Sequence, residues 1–158
     1  MKKKKAPNPE HIEMIRKMVH ASPYPSLLSM KLVDIGAGFA VMEIDIEEKH
    51  MQLLGAVHGG TLASLMDGVA YWSVFYGVEN PDAWLTTVDL NVNFLAPVSS
   101  GKLIAKGTQI KVGKKLCYAT AEISGSNGTI IAHGTSTLII LNNIQLTRDL
   151  HFPPKFLD

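Results

Sequence analysis

The residues able to do chemistry in this chain are gathered in one stretch, Gln52-Leu-Leu-Gly-Ala-Val-His58-Gly59-Gly60-Thr61, followed by Asp67. Two glycines open a long helical pattern, where the first backbone N–H groups have no intrahelical partner and carry the positive end of the helix dipole. Lacking a β-carbon, glycine lets an external atom come close to those N–H groups. Such a place suits a carbonyl oxygen that gains negative charge as a nucleophile adds to its carbon. Asp67 sits further along the same helix, in a mostly apolar setting. A mid-helix Asp is unfavourable by propensity, and burying its charge without partners costs several kcal/mol. It either faces solvent or is held for chemistry.

Geometry sharpens the second possibility. Asp67 is eight residues beyond Gly59, so about 12 Å separates the two along one helix axis. A carboxylate that far away cannot attack a carbonyl held at its own helix N-terminus. If both belong to one site, two antiparallel copies must share it. Catalysis would then require a two-fold dimer. Gly60, Ser64, Asp67, Gly68 and Tyr71 follow one another at steps of three and four. They make a small, polar stripe that another backbone could approach closely.

The elements that must position these groups follow from periodicity. Residues 59–76 form the clearest helix, stopped by Gly77 and Asn80-Pro81, with Leu62, Leu65, Met66, Val69 and Trp72 as its apolar surface. A shorter amphipathic helix is expected over 7–18, ended by the Ser22-Pro-Tyr-Pro-Ser26 cluster. Strands are expected over 31–35 and 39–46 before the long helix, and over 85–95, 102–112, 116–123 and 130–141 after it. In 85–95, Val88, Leu90, Val92 and Phe94 should share one face, with Thr87, Asp89, Asn91 and Asn93 on the other. Gly113-Lys-Lys115 and Gly125-Ser-Asn-Gly128 are hairpin chemistry. The order suggests an α+β fold in which an antiparallel sheet wraps one dominant helix.

Composition narrows the function classes. Fifteen Lys+Arg against fourteen Asp+Glu leave a formal charge of +1, which argues against a dedicated nucleic-acid binder. The basic run at residues 2–5 reads as a solvated terminus, and the prolines after it do not continue a signal peptide. No segment approaches the roughly 20 apolar residues of a membrane span. The lone Cys117 leaves no internal disulfide framework, is expected as a buried thiol, and fits a cytoplasmic protein. The six histidines show no HxxxH or HxH spacing, so no metal site is expected. Dinucleotide, P-loop and nucleophile-elbow strings are absent.

The string His58-Gly-Gly-Thr-Leu-Ala-Ser-Leu-Met-Asp67 resembles the active-site segment of hotdog-fold acyl-CoA thioesterases of the phenylacetate-degradation (PaaI-like) type. The likeness extends through Thr87-Val-Asp-Leu-Asn-Val-Asn-Phe-Leu-Ala-Pro97 and the Gly113-Lys-Lys115 turn, and covers roughly residues 30–141. It implies a hotdog domain over 30–141, with an N-terminal tail and short helix over 1–29 and a C-terminal tail over 142–158. It further implies a homodimer, often a dimer of dimers, acting on an acyl-CoA whose CoA arrives with the substrate rather than as a cofactor.

By that resemblance Asp67 is nucleophile or general base, and the Gly59 N–H polarises the thioester carbonyl. Gln52 stands where a side-chain amide, often Asn, supports carbonyl or water. Thr87 stands where a hydroxyl orients the water, and His58 braces the loop. Lys114 and Lys115 would meet the CoA phosphates or be ordinary exposed hairpin residues. Tyr71, Trp72, Phe75 and Tyr76 divide between core and acyl pocket. Two other readings compete. One is a hotdog dehydratase or hydratase, whose His-Phe-Pro string has a counterpart only in the tail, at His151-Phe-Pro153. The other is an acyl-CoA-binding hotdog protein without catalysis, which the Gln52 departure favours.

Overall fold

In the computed structural model, residues 5–144, 146 and 150–157 are described. The basic run of residues 2–4 and tail positions 145, 147–149 and 158 lie outside them. Helix α1 spans Pro9–Ala21. Asn8 caps it by accepting the Glu10 N–H, and Pro9 occupies the first turn, where a missing N–H costs nothing. Ile15 and Val19 drop from α1 into the core, so the N-terminal segment is part of the packed unit. The proline cluster expected only to end this helix also starts another. Pro23 opens a one-turn α2, Pro23–Leu27, for the same reason that Pro9 suits α1.

Six antiparallel strands follow: β1 Lys31–Gly36, β2 Phe39–Asp45, β3 Trp84–Phe94, β4 Lys102–Val112, β5 Leu116–Gly125 and β6 Ile130–Leu141. They form one sheet in the order β1-β2-β4-β5-β6-β3. The long helix α3, Gly59–Phe75, lies in its curl and packs against all six strands. Leu62, Leu65, Met66, Val69 and Trp72 are all buried. Close approach of α3 to the sheet depends on Gly107 of β4. A β-carbon there would run into the Val69 carbonyl of α3 and stand 3.0 Å from Ser73 Cβ.

Strand β3 departs from simple alternation. Its register against β6 shifts between Thr87 and Asp89, a bulge that places Val88 outward and exposed. Before the bulge, Leu85 and Thr87 face the helix. After it, Leu90 and Val92 do so. The expected segregation of Thr87 from Leu90 and Val92 is therefore overturned, because one extra residue inverts the alternation.

The tail after β6 folds back over the far end of α3. Pro7 and Phe156 form a β-bridge, Asn8 donates its backbone N–H to the Lys155 carbonyl at 3.0 Å, and Asn8 Nδ2 donates to the Pro154 carbonyl at 2.8 Å. His11, 4% exposed, shares a 2.8 Å hydrogen bond with the Tyr76 hydroxyl. Burial, and then the nearby Lys155 charge, lower His11 from 6.5 to about 4.

Two stability predictions follow from this packing. Gly107→Ala should lower the unfolding free energy by about 1–3 kcal/mol in urea titrations, because the helix must retreat from β4. Between pH 6.5 and about 4 the unfolded chain binds a proton that folded His11 refuses, so this residue makes stability fall as pH falls through that window. His11→Phe keeps a ring in place and removes that term. Its unfolding free energy relative to wild type should improve by about 2–3 kcal/mol from pH 7 to pH 4.

Candidate active site

The loop before α3 is pinned from several sides. His50 is fully buried; its Nδ1 accepts the Glu47 N–H at 2.9 Å, and its Nε2 donates to the Leu28 carbonyl at 2.9 Å. The His50 carbonyl in turn accepts the His58 N–H at 2.8 Å, and Val98 accepts the Val57 N–H at 2.8 Å. Met51 and Val57 close the loop with an antiparallel bridge. Within it, the Gln52 side-chain oxygen accepts the Leu54 N–H at 3.0 Å. That amide oxygen is committed to the loop, and Leu53 and Leu54 are held out in solvent.

His58 is the N-cap of α3. Its Nδ1 accepts the Gly60 N–H at 2.8 Å, so the neutral ring carries its hydrogen on Nε2. The His58 carbonyl accepts the N–H groups of Thr61 and Leu62. Among the described residues the Gly59 N–H has no partner. It sits at the positive end of a 17-residue helix, under the edge of the Phe94 ring, which a β-carbon at 59 would meet at 3.2 Å. An acceptor from outside the chain can take that N–H.

Two turns on, the half-buried Asp67 carboxylate accepts a 2.7 Å hydrogen bond from Thr87 Oγ1. Because the Thr87 hydrogen is spent on Asp67, that hydroxyl can engage a further group only as an acceptor. Asp67 lines a cavity of about 450 Å³ whose other walls include Met18, Met30, Met42, Trp72 and Leu90. At its mouth, Ser64 donates to the Gly60 carbonyl at 2.8 Å and takes the Tyr24 hydroxyl at 2.7 Å. The small-residue stripe thus faces this cavity. Met30 and Met42 stand against Gly68, and Tyr24 against Ser64, all from the same chain.

The structure brings the expected residues together in two groups rather than one. Gln52, His58 and Gly59 stand at the N-terminus of α3, while Asp67 and Thr87 stand mid-helix, about 12 Å along the axis. Lys114 and Lys115 are exposed on the β4–β5 turn. Neighbouring Val112 lies against Gly77, so they sit beyond the opposite end of α3 from Gly59. Of Tyr71, Trp72, Phe75 and Tyr76, Trp72 is the one that lines the cavity. Tyr71, Phe75 and Tyr76 belong to a ring cluster with His11, Trp84 and Phe152. Burial pushes the Tyr71 hydroxyl well above its ordinary range, with the Asp67 charge adding to the effect. His151-Phe-Pro153 lies in the tail, where Phe152 packs on His11 and Trp84.

Sequence reasoning missed the three methionines and Tyr24 as cavity walls. Methionine fills gaps of any kind, and nothing in its spacing marks a binding surface. Among the described residues no helix is long and apolar enough to cross a membrane, and no cluster of three metal-ligating side chains occurs.

A six-stranded antiparallel sheet curled round one long helix is the hotdog architecture. Residues 54–132 match the family profile described as the thioesterase superfamily. The chain belongs to that superfamily, and it is a thioester hydrolase. Human acyl-coenzyme A thioesterase 13 is 26% identical over 128 residues, 79% of this chain and 90% of that protein. The solved structure of a Haemophilus influenzae thioesterase superposes with a TM-score of 0.77 at 21% identity, covering 87% of this chain and 94% of that one. A zebrafish thioesterase superfamily member 2 gives 0.72 at 24% identity over 81% and 96% of the two chains.

If His58 acts through its cap, His58→Asn should keep the fold and hold thioester hydrolysis within about tenfold of wild type, since Asn is itself a good N-cap. His58→Ala should lose about 1 kcal/mol of stability in the same denaturation assay and release the orientation of the Gly59 N–H.

Proposed function

We propose that this chain hydrolyses an acyl-CoA of the short- to medium-chain or aryl class to a free acid and CoA, in a PaaI-like site shared across a two-fold dimer. The observation that carries the reading is the Asp67 carboxylate. It is held by Thr87 at the wall of an apolar cavity, on the same helix as the unpartnered Gly59 N–H. In antiparallel copies, Asp67 of one protomer stands beside Gly59 of its partner. The acyl group lies against Met18, Met30, Met42 and Trp72, and the thioester oxygen accepts the partner's N–H.

Asp67 then acts in one of two ways. Attack on the carbonyl carbon expels the CoA thiolate and leaves a mixed anhydride, which water opens to the acid. Alternatively, Asp67 removes a proton from a water resting on the Thr87 oxygen, and that water displaces the thiolate directly. Either route needs no metal and no cofactor.

The dimer reading draws support from the sheet edge. β3 is the last strand of the sheet, with Val88 and Phe94 exposed along it, and Leu53 and Leu54 stand fully exposed on the loop before α3. A bare strand edge with apolar side chains invites pairing with a second copy. Lys114 and Lys115, exposed on the β4–β5 turn, would meet the CoA phosphates. A dimer of dimers would bury further surface. We place the protein in the cytoplasm, in keeping with its lone buried thiol, Cys117.

CoA release from a panel of short, medium, long and aryl acyl-CoAs should detect turnover that Asp67→Asn lowers at least about 100-fold. Gly59→Pro removes the N–H at a position where a helix accepts proline and should cost about 100- to 1000-fold. Neither variant alone should turn over appreciably. Unfolded and refolded together, they should recover about one quarter of wild-type activity, because half the dimers are mixed and each holds one intact site. No recovery would place the whole site in one chain. Binding of acyl-CoA without any thiol release would instead favour the acyl-CoA-binding reading.

A further inference from the structure

We infer that the far end of α3 carries a second binding site, for a small aromatic monocarboxylate, built on Lys155 and a surrounding set of rings. The site is distinct from the Asp67 cavity and stands whether or not the acyl-CoA reading is right. Phe75, which it uses, is about 24 Å along the helix axis from Gly59.

Lys155 is 2% exposed. Its Nζ donates to the Val78 carbonyl at 3.2 Å and lies 4.0 Å above the centroid of the Phe75 ring. Among the described residues no carboxylate lies within 4.0 Å of it. The Val78 carbonyl takes one of its three N–H groups. The Phe75 ring and, at 5.5 Å, the Phe156 ring attract the charge without accepting a full hydrogen bond, so two N–H groups are left to be satisfied among the described residues. A buried ammonium held this way costs several kcal/mol that a carboxylate partner would offset. Burial accordingly lowers its pKa from 10.5 to about 8.

Beside it is a cavity of about 360 Å³, with Lys155, His11, Phe75, Trp84, Phe152 and Pro154 in its lining. The rings are mutually ordered. Phe152 lies 5.5 Å from His11 and 5.8 Å from Trp84, centroid to centroid. His11 stays neutral at pH 7, its pKa lowered to about 4, so Lys155 supplies the cationic charge of this set. Asp82 also contributes to the lining but is solvent-exposed, and its charge limits the site to a single carboxylate rather than a polyanion. The Phe75, Trp84 and Phe152 rings in the lining favour an aromatic ring over a flexible chain, because stacked and edge-on ring contacts add to simple burial. The carboxylate completes the lysine's hydrogen bonding through a charge-assisted pair.

Benzoate, with benzamide as its neutral isostere, tests the site by proton NMR on the full chain. Wild type should show saturable benzoate binding, with ring-proton contacts to Trp84 and Phe152, and at least about tenfold weaker binding of benzamide. Asp67→Asn should bind benzoate as wild type does. Lys155→Met, which keeps the length of the side chain, should weaken it at least about tenfold. The contacts in wild type locate the ligand even if Lys155→Met does not fold. Contacts to Trp72 and Leu90 instead would place benzoate in the Asp67 cavity and overturn the proposal. So would unchanged affinity in a folded Lys155→Met, equal binding of benzamide, or no saturable binding.

Discussion

The approach of α3 to β4 at Gly107 is the constraint on which the rest of this molecule depends. A side chain at 107 would occupy the place of the Val69 carbonyl, so the helix backbone lies directly on the strand. That contact fixes the depth of α3 in the curl of the sheet. Depth then decides which side chains are drowned and which are left at a wall. Leu65, Met66 and Val69 are sealed, while Asp67, two residues from Val69, stays half-buried on the flank facing the cavity. Raising the helix by a β-carbon's width would widen the gap that Thr87 bridges to Asp67 and loosen the walls about the carboxylate. Packing and chemistry are therefore coupled through one glycine that touches neither substrate nor carboxylate.

The bulge at Val88 solves a second geometric problem. A regular strand puts residues 85, 87, 89 and 91 on one face, so a strand with Thr87 turned to the helix would also turn Asp89 and Asn91 into the core. One extra residue removes the conflict. Leu85 and Thr87 face inward before it, and Leu90 and Val92 after it. The charged and amide side chains stay in water, and a single hydroxyl is admitted to the interior where a carboxylate waits for it. Bulges are enriched next to functional sites for this reason.

What could be read from the sequence, and what could not, follows the range of the interactions involved. Eight of the main elements were legible because turn chemistry and apolar period are local. Gly77 and Asn80-Pro81 end α3, and β4 and β6 run over the residues expected of them. Gly59 and Asp67 were legible as candidate groups from residue type, and their separation along α3 from helix rise alone. The Val88 bulge was not legible, since its local signal, an alternating strand, argues for the regular register. Nor was the cavity: Met18, Met30 and Met42 come from α1, the loop before β1, and β2, and only their convergence in space makes a wall. Gln52 was legible as an amide but not in its use, because its oxygen is taken by a backbone N–H two residues away.

The two ends of α3 are treated oppositely, and the helix dipole explains why. At the start, His58 satisfies the Gly60 N–H and its carbonyl takes the next two, which leaves the Gly59 N–H unpaired among the described residues. A helix N-terminus stabilises negative charge only if such a donor is kept unpaired. At the finish, the tail doubles back to set the Lys155 ammonium on the Val78 carbonyl, just past the last turn. A cation there is favoured by the negative end of the same dipole, which offsets part of the cost of burying it. The chain devotes its first cap to leaving a group free and its last segment to bringing a charge in. A helix with both ends neutralised by its own side chains would pack as well but would have nothing at either end to offer a ligand.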